Sequence, residues 1–152
     1  MKEKHEPRQC YAAWQKDRKE RKYSASGGIA FGFYKRWIQN AGIVYGAAFN
    51  EKGILTQQKA ETLEEIKKFR GSKYAQSHTG FVYSDIGKEL KKGEKVLFIG
   101  TPCQIAGLKA YLGKASDALV TIDLICHGTP PMSYLEEYIK EIAGAEKVDR
   151  VS

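Results

Sequence analysis

Two apolar runs constrain this chain most: Lys95–Gly100 (KVLFIG) and Ala118–Cys126 (ALVTIDLIC). Each is too short for a buried helix, and each is rich in β-branched residues, so both read as strands buried on two faces. Between them Ile105, Leu108 and Leu112 fall at helical spacing. Strand, helix, strand in that order is a parallel βαβ unit. A further helix, marked by Leu135, Tyr138, Ile139 and Ile142, follows.

Upstream, Ile29, Phe33 and Trp37 recur every fourth residue, which predicts an amphipathic helix ending near Asn40–Gly42. Ile43–Phe49 reads as a buried strand, and the turn residues Asn50–Gly53 return the chain as a hairpin over 54–58. Thr62-Leu-Glu-Glu65 is a capping box for a short helix to about Phe69. Phe81, Val82, Ile86 and Leu90 mark another helix. Tyr11–Trp14 reads as a short edge strand. The expected fold class is α/β: a mixed, largely parallel sheet with helices on both faces and an antiparallel hairpin. Residues 1–23 form an N-terminal extension, and residues 24–152 the α/β domain. The tail Val148–Ser152 reads as the start of another strand, as in a chain truncated at its C-terminus.

Hydrophobic residues make up 42% and charged residues 28%, which excludes a disordered chain. No apolar run is long enough for a membrane span, and the N-terminus has no signal-peptide core, so a cytoplasmic location is expected. The net charge is +7, much of it in Lys16–Lys22. That run is either a solvated segment or a docking site for an acidic partner or anionic cofactor. No nucleic-acid recognition motif accompanies it.

The three cysteines, Cys10, Cys103 and Cys126, argue against a disulfide framework. Inert buried thiols, redox thiols and metal ligands remain open. In Gly100-Thr-Pro-Cys-Gln104, Thr101 is an N-cap, Pro102 the first helical residue and Gln104 the closing member of a capping box. Cys103 then sits in the first helical turn, where the dipole favours a thiolate. Cys126-His-Gly-Thr-Pro130 follows the next strand, 23 positions on. With parallel strands, Cys103, Cys126 and His127 share the carboxyl-end rim where α/β sheets collect ligands. The alternative is a strand-end cysteine and a capping histidine.

Ser24-Ala-Ser-Gly-Gly28 precedes a helix and suits an anionic group, or is simple capping. Arg70-Gly-Ser-Lys-Tyr74 combines cations, a hydroxyl and a ring, which suits a pyrophosphate; Gly71 as a left-handed C-cap explains it equally well. There is no GxGxxG, Walker A, HExxH or CxxC motif.

Ser26-Gly-Gly28, Val44–Phe49, Arg70–Tyr74, Gly100–Leu108 (GTPCQIAGL) and Asp123–Gly128 (DLICHG), in that order, resemble the coenzyme F420 hydrogenase/dehydrogenase β-subunit family. The resemblance implies a flavoprotein oxidoreductase passing electrons between an iron–sulfur relay and a hydride carrier such as F420. It implies FAD and a [4Fe–4S] cluster as cofactors, with Cys103 and Cys126 as cluster ligands. The flavin site would involve Ser26, Gly27, Gly28, Arg70, Gly71, Ser72, Lys73 and Tyr74, and the rim would add Thr101, Pro102, Gln104 and His127. Implied partners are a ferredoxin-like domain or subunit and a redox partner protein, with a homo-oligomer also open. The sequence departs from the family pattern in lacking the ferredoxin-like N-terminal domain and the C-terminal half. It also carries Gln57 where a histidine is frequent, and three cysteines where a cluster takes four. A non-catalytic α/β module docking a redox or polysaccharide-synthesis partner is the alternative.

Overall fold

The computed structural model describes residues 7–143. The further strand expected to start at Val148–Ser152 lies outside them. The elements run α1 (Arg18–Lys22), α2 (Ile29–Gln39), β1 (Ile43–Phe49), β2 (Leu55–Ala60), α3 (Val82–Lys91), β3 (Val96–Gly100), α4 (Pro102–Leu112), β4 (Leu119–Asp123) and α5 (Met132–Ala143). Single 3₁₀ turns cover Ser26–Gly28 and Glu65–Phe69.

The four strands lie in the order β2-β1-β3-β4. β1 and β2 form the antiparallel hairpin, with Gly46 opposite Gln58. β1 and β3 are parallel, as are β3 and β4, where Val96 faces Leu119 and Gly100 faces Asp123. The α/β class read from the sequence is therefore observed, with its mixed sheet and hairpin.

Strand alternation sorts the core into two layers. Val44, Ala48, Leu97 and Ile99 face α2 and the Glu65–Phe69 turn, against Phe31, Tyr34, Ile66 and Phe69. Ile43, Tyr45, Val96 and Phe98 face α3 and α4, against Val82, Ile86, Ile105 and Leu108. Gly46 is glycine because a Cβ there would press on the Tyr34 hydroxyl and lie 3.0 Å from the Phe69 ring. Those two rings pack at a centroid distance of 5.0 Å.

Three expectations are corrected. Tyr11–Trp14 is not a strand, because its backbone joins no ladder. Instead Gln15 donates its N–H to the Gly27 carbonyl at 2.8 Å, and Trp14 packs on Gly27. The Ala118–Cys126 run is not a buried strand either. Leu119–Asp123 pairs with β3 on one side and, among the described residues, with no strand on the other, and Ile125 is 93% exposed. Phe81, placed on the α3 core face by its spacing, is the exposed N-cap of that helix. The Thr62 capping box does form, with Thr62 N–H on Glu65 Oε2 at 3.1 Å and Glu65 N–H on Thr62 Oγ1 at 3.2 Å. The helix it opens is one 3₁₀ turn.

Candidate functional site

β3 ends and α4 begins at the sheet's carboxyl edge, and the expected local chemistry is present. Thr101 is the N-cap, Pro102 opens the helix and Gln104 completes the capping box. Gly100 is not there for an unusual dihedral. A Cβ on it would lie 3.0 Å from Gln104 Oε1 and 3.1 Å from the Phe98 ring, so glycine lets the Gln104 amide fold back over the strand end.

Gln104 is buried and is the centre of a polar hub. Its Oε1 accepts from Thr101 N–H at 3.1 Å and from Gln57 Nε2 at 3.1 Å. Its Nε2 donates to Ser77 O at 3.1 Å and Ser77 Oγ at 2.9 Å. The backbone partners fix which end of the Gln104 amide is oxygen, and that in turn fixes Gln57 with Nε2 toward Gln104. Gln57 Oε1 is left buried with no partner among the described residues. A buried orphan acceptor costs about 1–3 kcal/mol, the kind of local cost found at functional sites.

Cys103 is exposed beside this hub, with Sγ 3.1 Å from Thr101 Oγ1. Tyr83 donates its hydroxyl to the Gln104 carbonyl at 2.8 Å. Burial raises the Tyr83 pKa, and neighbouring Cys103 adds to the shift, so the phenol stays protonated at neutral pH. Ser77, His78, Thr79, Tyr83, Cys103 and Gln104 line a cavity of about 520 Å³. The 77–79 segment reaches it by pairing with β2: His78 N–H donates to Leu55 O at 3.0 Å, and Gln57 N–H to His78 O at 2.8 Å. The volume falls within the range of small-molecule sites.

The second thiol lies differently. The parallel β3–β4 pair sets Cys103 and Cys126 beyond the carboxyl ends of adjacent strands, as the spacing implies. Leu124 N–H extends the pairing onto Gly100 O at 2.9 Å. Yet Cys126 and His127 are exposed and do not line the cavity; Pro131, further along the same loop, does. Cys126 Sγ accepts from Gly128 N–H at 3.4 Å. All three cysteines are exposed, so none is an inert buried thiol. Among the described residues no three His, Cys, Asp or Glu side chains converge to hold a metal. Two thiols do not make up the four-cysteine set of a [4Fe–4S] cluster.

The two loops read as phosphate sites are occupied by internal contacts. Ser26, Gly27 and Gly28 have φ of 49°, 74° and 76°, a left-handed run before α2. Their glycines are needed because Trp14, Gln15 and Ser24 pack against them at 3.0–3.1 Å from the would-be Cβ atoms. Gln15 Nε2 also donates to Gly28 O at 3.3 Å. Arg70 pairs with Glu20 and stacks 4.1 Å from the Phe31 ring centre. Lys73 Nζ donates to Arg70 O at 2.8 Å and to Lys68 O at 3.2 Å. Burial brings the Lys73 pKa down to about 8. Gly71 has φ of 77°, as a left-handed C-cap requires, Ser72 is exposed, and Tyr74 is 78% exposed. The capping alternative thus describes this loop as it stands.

Sequence reasoning missed Ser77, His78, Thr79 and Tyr83, and noted Gln57 as a departure from the family pattern without placing it at the site. One signal was available: Gln57 shares a face of β2 with Leu55, which is also buried.

Fold and site together define an α/β module whose ligand-sized cavity opens at the carboxyl end of a parallel βαβ unit. Residues 93–152 match the family formed by the C terminus of the coenzyme F420 hydrogenase/dehydrogenase beta subunit. The resemblance to that β-subunit family therefore stands, carried by this segment. A chain of the F420-reducing [NiFe] hydrogenase complex from Methanosarcina barkeri has a similar fold, with a TM-score of 0.65 at 20% identity. The match covers 88% of this chain and 49% of that one, so the chain spans about half the length of its solved counterpart. No curated protein sequence matches. The family match supports an oxidoreductase-related module, and the solved structure shares its fold. Among the described residues no helix is long and apolar enough to cross a membrane.

Proposed function

We propose that this chain is a flavin-binding oxidoreductase module whose cavity beside Cys103 receives the ring of FAD or of a hydride carrier such as F420. The single observation behind the reading is the cavity itself. It opens where β3 meets α4, and Cys103, Gln104 and Pro131 of its wall lie in the segment that matches the β-subunit family. A bound flavin would supply conversion between one-electron and two-electron transfer. The chain's own groups would orient the ring. Ser77 and Thr79 offer hydroxyls, His78 an imidazole, and Tyr83 a phenol anchored on Gln104 O. The Thr101, Pro102 and Gln104 corner holds Cys103 at the rim. Ser26–Gly28 and Arg70–Tyr74 are the candidates for the phosphate side. They share one face, where Arg70 stacks on Phe31 of α2. Cys126 and His127 form an open flank. A cluster would need ligands beyond Cys103 and Cys126, so a ferredoxin-like domain or subunit is the partner this reading requires, in a cytoplasmic setting.

The test is purification after incubation with FAD under anaerobic conditions, followed by gel filtration. Flavin that elutes with the chain at about one per chain supports the reading, and a colourless chain contradicts it. A second reading is favoured by the internal engagement of Arg70 and Lys73: a non-catalytic module docking a redox or polysaccharide-synthesis partner. Partner binding that survives Cys103→Ser with Cys126→Ser, in a chain that takes up no flavin, would favour it.

A further inference from the structure

No Asp or Glu occurs between Glu20 and Glu51, a stretch that holds the end of α1 and all of α2 and β1. Overlapping its start, Lys16–Lys22 carries five cations and two carboxylates, a net +3 of the chain's +7. Both carboxylates are used within the fold. Asp17 caps α1, accepting from Lys19 N–H at 2.8 Å and Glu20 N–H at 3.2 Å. Glu20 pairs with Arg70. Lys16, Arg18, Lys19 and Lys22 are exposed, and among the described residues none forms an ion pair. Those two N–H bonds hold the Asp17 carboxyl below its usual range.

α3 shows the contrast. There Lys88 pairs with Asp85 at 2.8 Å and Lys92 with Glu89 at 3.0 Å. Compensation on the helix surface is what a merely solvated face displays. The α1 cations are uncompensated because the fold has taken their carboxylates away.

We propose that Lys16, Arg18, Lys19 and Lys22 form a docking surface for an acidic protein partner. The proposal rests on the reading of the chain as one module of a redox assembly. α1 has five residues and is about 8 Å long. That compact patch matches a carboxylate cluster on a protein face better than the extended phosphate track of a nucleic-acid strand. Tyr23, the C-cap of α1, is exposed beside the cations and supplies apolar contact.

The test uses the cofactor-free chain, so flavin uptake plays no part in it. A small acidic ferredoxin is the probe, titrated at low and high salt. Binding should weaken steeply with salt. Arg18→Glu with Lys22→Glu should lower affinity about tenfold or more, and the milder Arg18→Gln with Lys22→Gln should lower it less. Lys52→Glu with Lys114→Glu, the same charge change at exposed loops elsewhere, should alter it by less than about threefold. Equal losses from both glutamate pairs would reduce the effect to net charge and overturn the proposal. So would tighter binding to a short single-stranded DNA or to phosphatidylglycerol vesicles, or salt-sensitive self-association that displaces the probe. Ferredoxin binding by a chain that never takes up flavin would leave the surface standing and the redox reading fallen.

Discussion

The two strand ends that carry cysteine are built to different standards. At the end of β3, Gln104 ties Thr101, Ser77 and Gln57 together through four hydrogen bonds, and the residues beneath Cys103 are buried. At the end of β4, Cys126 has its own Gly128 N–H as partner and sits among exposed neighbours. Equivalent topological positions therefore do not confer equivalent roles. Cys103 belongs to a preorganised rim over a cavity. Cys126 lies on a flank that another chain or domain could shape.

That contrast is open to direct measurement. Gln104→Ala should cost most, about 3 kcal/mol of unfolding free energy in urea titration, because Thr101 N–H, Gln57 and Ser77 all lose a buried partner. Gln57→Met should cost about 1 kcal/mol. It removes two donor contacts but also removes the orphaned Oε1, so the terms partly cancel. Glu89 of α3, which pairs with Lys59 of β2 at the opposite edge of the sheet, supplies a reference. Hydrogen bonds from Lys59 and then Lys92 hold the Glu89 carboxyl below its usual range. A carboxyl pKa lowered by folding gives stability that is present above the ordinary carboxylate range and lost as pH falls through the folded value. Glu89→Gln should therefore flatten the acid limb of a stability–pH curve below about pH 4.5, by under about 1 kcal/mol. Cys126→Ser should change stability by less than about 0.5 kcal/mol, as an exposed substitution does. A loss at Cys126 as large as that at Gln104 would abolish the distinction between the two ends.

The parts legible in the sequence were those decided by neighbours along the chain. The α4 capping box spans Thr101 to Gln104, and the hairpin turn spans Asn50 to Gly53, where Asn50 Oδ1 accepts from Ile54 N–H at 2.9 Å. What depended on distant partners was not legible. Gln57 meets Gln104 across 47 residues and Gln104 meets Ser77 across 27, so no local pattern announces the hub. Val120, Leu124 and Ile125 look like core by hydropathy, but burial depends on whether another strand lies beside β4, and β4 is the last in the described order. Arg70 and Lys73 look like phosphate ligands by residue type. Their engagement with Glu20, Phe31 and backbone carbonyls is set by how α1, α2 and the 3₁₀ turn pack.

The central claim is that the cavity beside Cys103 holds a flavin-like ring, and calorimetric titration of FAD into the chain addresses it most directly. Wild-type chain should bind FAD at about one site. Thr79→Trp, which fills the cavity from its wall, should weaken binding about tenfold or more, while Cys126→Ser should change it by less than about threefold. Absence of binding, or an affinity unmoved by Thr79→Trp in a variant with unchanged circular dichroism, would contradict the account.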